Sequence, residues 1–249
     1  MASGQDPLQA ALKRAMDRAA GALPPVSPAM RFELKRKVLH VVVAVIAIPL
    51  LLLLPVGVVL SLGVAGIVVI TLVWAIEQRL VEGHPRLAPL HKPLENVLRA
   101  TRRPTENYPW SPVLYTAALL LIALAHVKLG LSWAIAFAAF AILGLGDAAS
   151  ALVGVAYGRR KLPWNRRKSL EGTMAGFVAG AMAGLVMAGI PFAFAGVVMP
   201  PPFFGIVLAG AAAGALAETI PRVEDNLVVP LASALVMFAL ASALALPLP

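Results

Sequence analysis

VLHVVVAVIAIPLLLLLPVGVVLSLGVAGIVVITLVWAI, residues 38–76, is a stretch of 39 residues without a charged side chain. As one continuous helix it would extend roughly 58 Å at 1.5 Å per residue, too long for a single bilayer core of about 30 Å and right for two passes. Pro55 and Gly57 mark the expected hairpin between the passes. The whole chain agrees with this reading. Its 249 residues are 60% apolar and 13% charged, against roughly 45–50% and 25% for soluble domains. Mean hydropathy is +0.85. A chain this apolar predicts an all-α, polytopic integral membrane protein. Cysteine is absent, which excludes a disulfide framework, a thiolate metal site, an Fe–S cluster and a cysteine nucleophile.

Five more apolar stretches follow: Pro112 to Val127, Leu131 to Tyr157, Gly172 to Ile190, Phe203 to Ala217 and Leu227 to Leu248. They bring the expected number of spans to about seven. A polar, proline-rich stretch, residues 77–111, separates the second span from the third. Residues 1–30 read as a separate unit. Leu8, Leu12, Ala15, Met16 and Ala19 share one helical face, as in a helix lying on a membrane surface, and Pro24, Pro25 and Pro28 end it. Residues 31–249 form the transmembrane domain. With seven spans, 20 of the 21 Lys and Arg residues fall on the side of the N-terminus, and Lys128 is the exception. The positive-inside rule places that side in the cytoplasm. It also explains the formal net charge of +9 without a nucleic-acid partner, because the cations flank apolar spans and meet lipid headgroups there. Trp74, Trp110 and Trp133 sit near span ends, as an aromatic belt requires. No targeting extension is read in this short chain, so the expected location is a prokaryotic plasma membrane with its site facing the cytoplasm.

Charges at the wrong depth carry the functional information. Asp147 lies within the fourth span, where an Asp costs about 2.5–3.5 kcal/mol. Such a residue faces a polar cavity, pairs with a cation, binds a metal or stays protonated against a neighbouring helix. Glu33, Arg36, Lys37 and His40 share one face where the first span enters the membrane, as a snorkelling basic anchor or as an active face. Arg159, Arg160, Lys161, Arg166, Arg167 and Lys168 crowd into ten residues just before the fifth span, with Ser169 at its N-cap position and Glu171 in its first turn. Helix N-termini suit phosphate, although the chain has no Walker A sequence. Glu218, Glu224, Asp225 and Asn226 lie in the last cytoplasmic turn and could hold Mg²⁺, a hard cation that takes oxygen ligands, or could form an ordinary solvated turn. Gly172, Gly176, Gly180 and Gly184 form a stripe of four-residue period, repeated by Gly210 and Gly214, and predict close helix packing.

In this order, the clusters resemble those of the CTP-dependent lipid-alcohol kinases, the group of dolichol, phytol and yeast-type diacylglycerol kinases. Glu33, Arg36, Lys37 and His40 resemble the opening E-x-x-R-K-x-x-H. Gly146-Asp147-Ala148-Ala149-Ser150, with Gly154 and Tyr157-Gly158, is similar to the G-D-x-x-A/S…G…x-G stretch. Lys168-Ser169-Leu170-Glu171-Gly172-Thr173 is similar to K-S/T-x-E-G-S/T, and Glu218 with Asp225-Asn226 and Pro230 to a final E…DN…P element. The matches run from residue 33 to residue 230. Loop 77–111 matches poorly.

The resemblance implies a CTP-dependent kinase that moves the γ-phosphoryl group to the hydroxyl of a membrane lipid alcohol, an isoprenoid such as phytol, geranylgeraniol or a polyprenol, with Mg²⁺ or a similar divalent cation. It implies Asp147 and Lys168 as catalytic, with His40 as a base candidate. Arg36, Lys37, Gly154, Arg159, Arg160, Lys168, Ser169 and Gly172 would bind nucleotide or phosphate. Asp147, Glu171, Glu218, Asp225 and Asn226 would serve a metal. Phosphatidate cytidylyltransferases share part of this pattern, but their C-terminal signature is missing here. A cytidylyltransferase-like activity and a small membrane transporter are the two alternatives.

Overall fold

The computed structural model describes residues 37–38, 41–42, 53–81, 89, 93 and 108–249. The expected surface helix of residues 1–30, most of the first span and most of loop 77–111 lie outside the described residues. The chain forms helices α1 (Val56–Val81), α2 (Trp110–Leu129), α3 (Trp133–Tyr157), α4 (Leu170–Phe194), α5 (Pro201–Ala217) and α6 (Asp225–Ala243). Among the described residues there is no strand, only an isolated antiparallel bridge between Lys161 and Ser169. All but the 17-residue α5 are long and apolar enough to cross a membrane. The fold is all-α and polytopic, as composition required. Each expected span after the first coincides with one helix, shifted by a few residues at its ends. Sidedness rests on the charge pattern.

Local chemistry explains the boundaries. α2 stops at Gly130, whose φ of 71° suits a residue without Cβ and lets its N–H reach back to the carbonyl of His126. Ser132 caps α3 by accepting from the Ala134 N–H at 3.0 Å. Ser169 does the same for α4, accepting from the Gly172 N–H at 3.2 Å. Pro201 opens α5, where no N–H is needed.

α3 is the central rod. In its most apolar window 72% of residues are buried, against 11% for α1. Ala134 to Ala141, with Phe137 and Phe140, is buried all round, which marks a helix enclosed by other helices. α1 keeps Val58, Leu62, Val68, Val69 and Leu72 exposed, as befits a lipid-facing surface. One π-helical turn, Ile142–Gly146, interrupts α3 immediately before Asp147. Such turns re-aim the residues beyond them and concentrate at functional sites.

Glycines set how closely the rods approach. A Cβ on Gly172 would lie 2.7 Å from the carbonyl oxygen of Ser150 and 3.0 Å from the Cα of Gly154. One on Gly176 would lie 3.1 Å from the carbonyl oxygen of Gly146, and one on Gly214 would meet Ser233 Oγ at 2.5 Å. The Gly stripe therefore presses α4 against α3, and Gly214 admits α6 to α5. We expect Gly172→Ala to lower stability by about 1–3 kcal/mol through enforced separation of backbones. Gly66→Ala on α1, where an added Cβ meets nothing within 4 Å among the described residues, should be neutral or stabilising by up to about 1 kcal/mol. Thermal unfolding of the purified variants in detergent tests the contrast; equal effects would refute the packing assignment.

Candidate functional site

The three acids that the sequence places on different segments meet at one point. Carboxylate oxygens of Asp147 in α3, Glu218 just after α5 and Asp225 at the start of α6 lie within 4.8 Å of one another. Asp147 and Glu218 are buried and Asp225 is partly so. Three negative charges this close repel strongly unless matched. Two lysines offset most of that charge. Lys37 Nζ stands 2.5 Å from Asp147 Oδ1 and donates at 2.9 Å to the Asp147 backbone carbonyl. Lys168 Nζ donates to Glu218 Oε1 at 2.5 Å and reaches Asp225 Oδ2 at 3.4 Å. Ser150, one turn beyond Asp147, donates to the same Glu218 Oε1 at 2.8 Å.

Lys168 is delivered by a short hairpin. The Leu162 N–H donates to the Lys168 carbonyl at 3.1 Å, and the Leu170 N–H to the Arg160 carbonyl at 2.8 Å. The hairpin is fastened to the end of α5: Trp164 Nε1 donates to Thr219 Oγ1 and Asn165 Nδ2 to the Thr219 carbonyl, each at 3.1 Å. Lys168 thus points at Glu218, the residue next to this clamp. Arg159, Arg160, Lys161, Arg166 and Arg167 are exposed on the same hairpin. Beyond Glu218 the chain turns through Arg222, which takes a left-handed φ of 66°, before entering α6 at Asp225.

Electrostatics in the two segments outside the spans follow from this contact. Burial alone would lower the Lys168 pKa, but Glu218, Asp225 and Asp147 outweigh it and hold the ammonium above its ordinary value. Burial and the Asp147 charge raise the Glu218 carboxyl, and Lys168 and Ser150 only partly offset them.

Other candidates lie elsewhere. The Glu171 carboxylate accepts from the Arg160 N–H at 3.1 and 3.2 Å and is no part of the acidic cluster. Asn226 Nδ2 donates to Ser111 Oγ at 2.6 Å, tying α6 to α2. Gly154 and Gly172 face each other across the α3–α4 contact. Three of the first four N–H groups of α4 are occupied: Leu170 bonds the Arg160 carbonyl, Gly172 bonds Ser169 Oγ, and Thr173 bonds the Ser169 carbonyl at 2.9 Å. Arg36 and His40 lie outside the described residues. Sequence reading missed the π-turn, the Ser150–Glu218 bond and the clamp on Thr219. Ser150 alone carried a signal, its i+3 spacing from Asp147.

Known proteins provide an independent comparison. The chain is 31% identical over 152 residues to a probable chloroplastic phytol kinase of Triticum aestivum, a match covering 59% of this chain and 49% of that relative. Probable chloroplastic phytol kinases of Glycine max and Zea mays are each 32% identical over 136 residues, 53% of this chain and 45% and 44% of theirs. The family resemblance is borne out. The chain spans about half the length of the curated relatives it matches. No family model matches it, and no solved structure does. These phytol kinase relatives are chloroplastic, so the expectation of a prokaryotic plasma membrane draws no support from them.

The charge arrangement predicts a pH-dependent cost for removing Lys168. Because its folded pKa is raised, its contribution is complete below the unfolded value and fades only as alkaline pH passes the folded one. Its loss leaves Glu218, already raised, with less reason to ionise. The folded variant then binds a proton more readily than the unfolded chain does. Lys168→Ala should cost about 1–3 kcal/mol near neutral pH, and less as Glu218 protonates at mildly acidic pH. Thermal unfolding in detergent at about pH 7.5 and about pH 5 checks this; an equal loss at both would refute the pairing.

Proposed function

We propose that this protein is a CTP-dependent kinase of a membrane lipid alcohol of the isoprenoid class, and that phosphoryl transfer takes place at the Asp147–Glu218–Asp225 cluster. The observation that carries the reading is the convergence of three carboxylates from three segments, two of them paired with Lys168, which comes from a hairpin rich in cations. The likeness to probable phytol kinases supports an isoprenoid acceptor.

Phosphoryl transfer asks a protein mainly for positioning and charge stabilisation. The donor set suits a hard divalent cation such as Mg²⁺: all three groups are oxygen donors, and their spacing lets one ion reach an oxygen from each. Asp147, Glu218 and Asp225 would hold it, and when bound it would neutralise charge on the triphosphate. Lys168 would meet phosphate oxygens, helped by the exposed Arg159 and Arg160. Ser150 and Lys37 would keep Glu218 and Asp147 in place. In the transfer itself, the lipid hydroxyl oxygen bonds to the γ-phosphorus and the bond from that phosphorus to the β–γ bridging oxygen breaks. CDP leaves, and the hydroxyl proton passes to a carboxylate of the cluster. A lipid presents its hydroxyl at the membrane surface and CTP arrives from water; Glu218 and Asp225 stand at helix ends, which suits both, while Asp147 lies deeper within α3.

Purified protein incubated with phytol or geranylgeraniol and CTP labelled at the α or the γ position tests the proposal. Label should enter the lipid from the γ position alone. Entry from the α position would instead support a cytidylyltransferase, and no nucleotide turnover would leave a transporter. Asp147→Asn, which keeps the shape and removes the charge, should lower kcat by about 10²-fold or more in folded protein.

A further inference from the structure

We infer that Lys168 is a displaceable counter-ion of the carboxylate cluster: a divalent cation takes over its place, and the freed ammonium becomes available to the phosphates of the nucleotide. Lys37, by contrast, is a fixed positioning residue for Asp147. The inference rests on the proposed reading of Asp147, Glu218 and Asp225 as a cation site, and goes beyond it by giving the two lysines different fates.

The geometry separates them. Both hydrogen bonds of the Lys168 ammonium end on carboxylate oxygens, of Glu218 and Asp225. Those acids are two of the three that a cation would bind. A cation there removes the attraction of both acceptors and adds a like charge. The Lys168 side chain is 27% exposed, so it has somewhere to go. Its backbone need not move, because the hairpin bonds at Leu162 and the Trp164 and Asn165 bonds to Thr219 do not involve the ammonium. Four side-chain rotations are enough to swing the charge outward, where water solvates it.

Lys37 has no such exit. Its side chain is 7% exposed, and besides Asp147 Oδ1 it holds the Asp147 backbone carbonyl. That carbonyl bond survives if a cation occupies the carboxylate, so Lys37 continues to orient Asp147. Among the described residues, two ammonium groups face three carboxylates without metal, one charge short of balance. A divalent cation in place of Lys168 would bring three positive charges to the three negative ones. Metal arrival is coupled to the exposure of a phosphate-binding lysine, which orders the two events.

Two measurements on the full chain in detergent test this without reference to turnover. Amine acylation read by mass spectrometry, with and without saturating Mn²⁺, should show Lys168 modified several-fold faster with Mn²⁺, while Lys37 stays protected. Mn²⁺ titration followed by electron paramagnetic resonance, without nucleotide, should show Lys168→Met binding at least about tenfold tighter than the parent, because a competing charge a few ångströms away is gone. If Lys168→Met is not recovered folded, Lys168→Gln carries the same expectation. Mn²⁺ binding with unchanged Lys168 reactivity, or with unchanged or weaker affinity in the variant, overturns the inference and leaves the cation site standing. Equal background binding by the parent and by Asp147→Asn overturns both.

Discussion

A carboxylate carried inside an apolar rod has to be matched by a cation before the rod can be enclosed, and here Lys37 supplies that match for Asp147. Both side chains are almost fully buried, so the desolvation cost is high and only good geometry offsets it. Much else in the fold serves this pair. The π-turn at Ile142–Gly146 sits directly before Asp147, at the point where its direction is decided. The second lysine bond, to the Asp147 carbonyl, locks the ammonium to the backbone as well as to the side chain. Ser150 carries the polar line one turn further, to Glu218.

Close helix packing makes this polarity shareable among segments. The backbones of α3 and α4 touch at Gly146, Gly154, Gly172 and Gly176, and Ser150 lies in the same contact. Glycine at these points brings Ser150 Oγ within reach of an acid that begins outside the span, at the end of α5. Larger residues would hold the helices apart and leave a buried hydroxyl and a buried acid without each other, a loss of one to a few kcal/mol per group. The glycine stripe therefore contributes to the electrostatics of the cluster although it supplies no charge.

The spans were legible because apolar runs, prolines and charges alternate along the chain, and each of Pro112–Val127, Leu131–Tyr157 and Gly172–Ile190 became a helix. The clusters that would matter were also legible, since ionisable residues near apolar spans are rare enough to stand out. Which members meet was less visible. Glu171 and Asn226 have the right chemistry for a metal but turn to Arg160 and Ser111. One-dimensional spacing gives the side of a helix on which a residue lies, not the partner that side will face. Lys37 looked like a phosphate ligand beside Arg36, yet its length takes it to an acid 110 residues away. The π-turn has no signature in Ile142-Leu143-Gly144-Leu145-Gly146 beyond two glycines. The Thr219 clamp was hidden because nothing in the spacing of Trp164 and Asn165 points to a residue 54 positions beyond Asn165.

The division of the basic hairpin into one inward and five outward cations bears on the direction of approach. Lys168 is paired with the acids, while Arg159, Arg160, Lys161, Arg166 and Arg167 are exposed. On the proposed function, a polyanion is drawn first to the outward charges, which offset repulsion by the carboxylates. Asp147 itself adjoins the α3–α4 glycine contact at Gly146 and pairs with Lys37. On the proposed function, the triphosphate reaches the cluster past the hairpin, and the lipid hydroxyl has to come in at another edge of the same cluster. The clamp on Thr219 then matters because it keeps that hairpin against the end of α5, with Lys168 anchored within side-chain reach of Glu218.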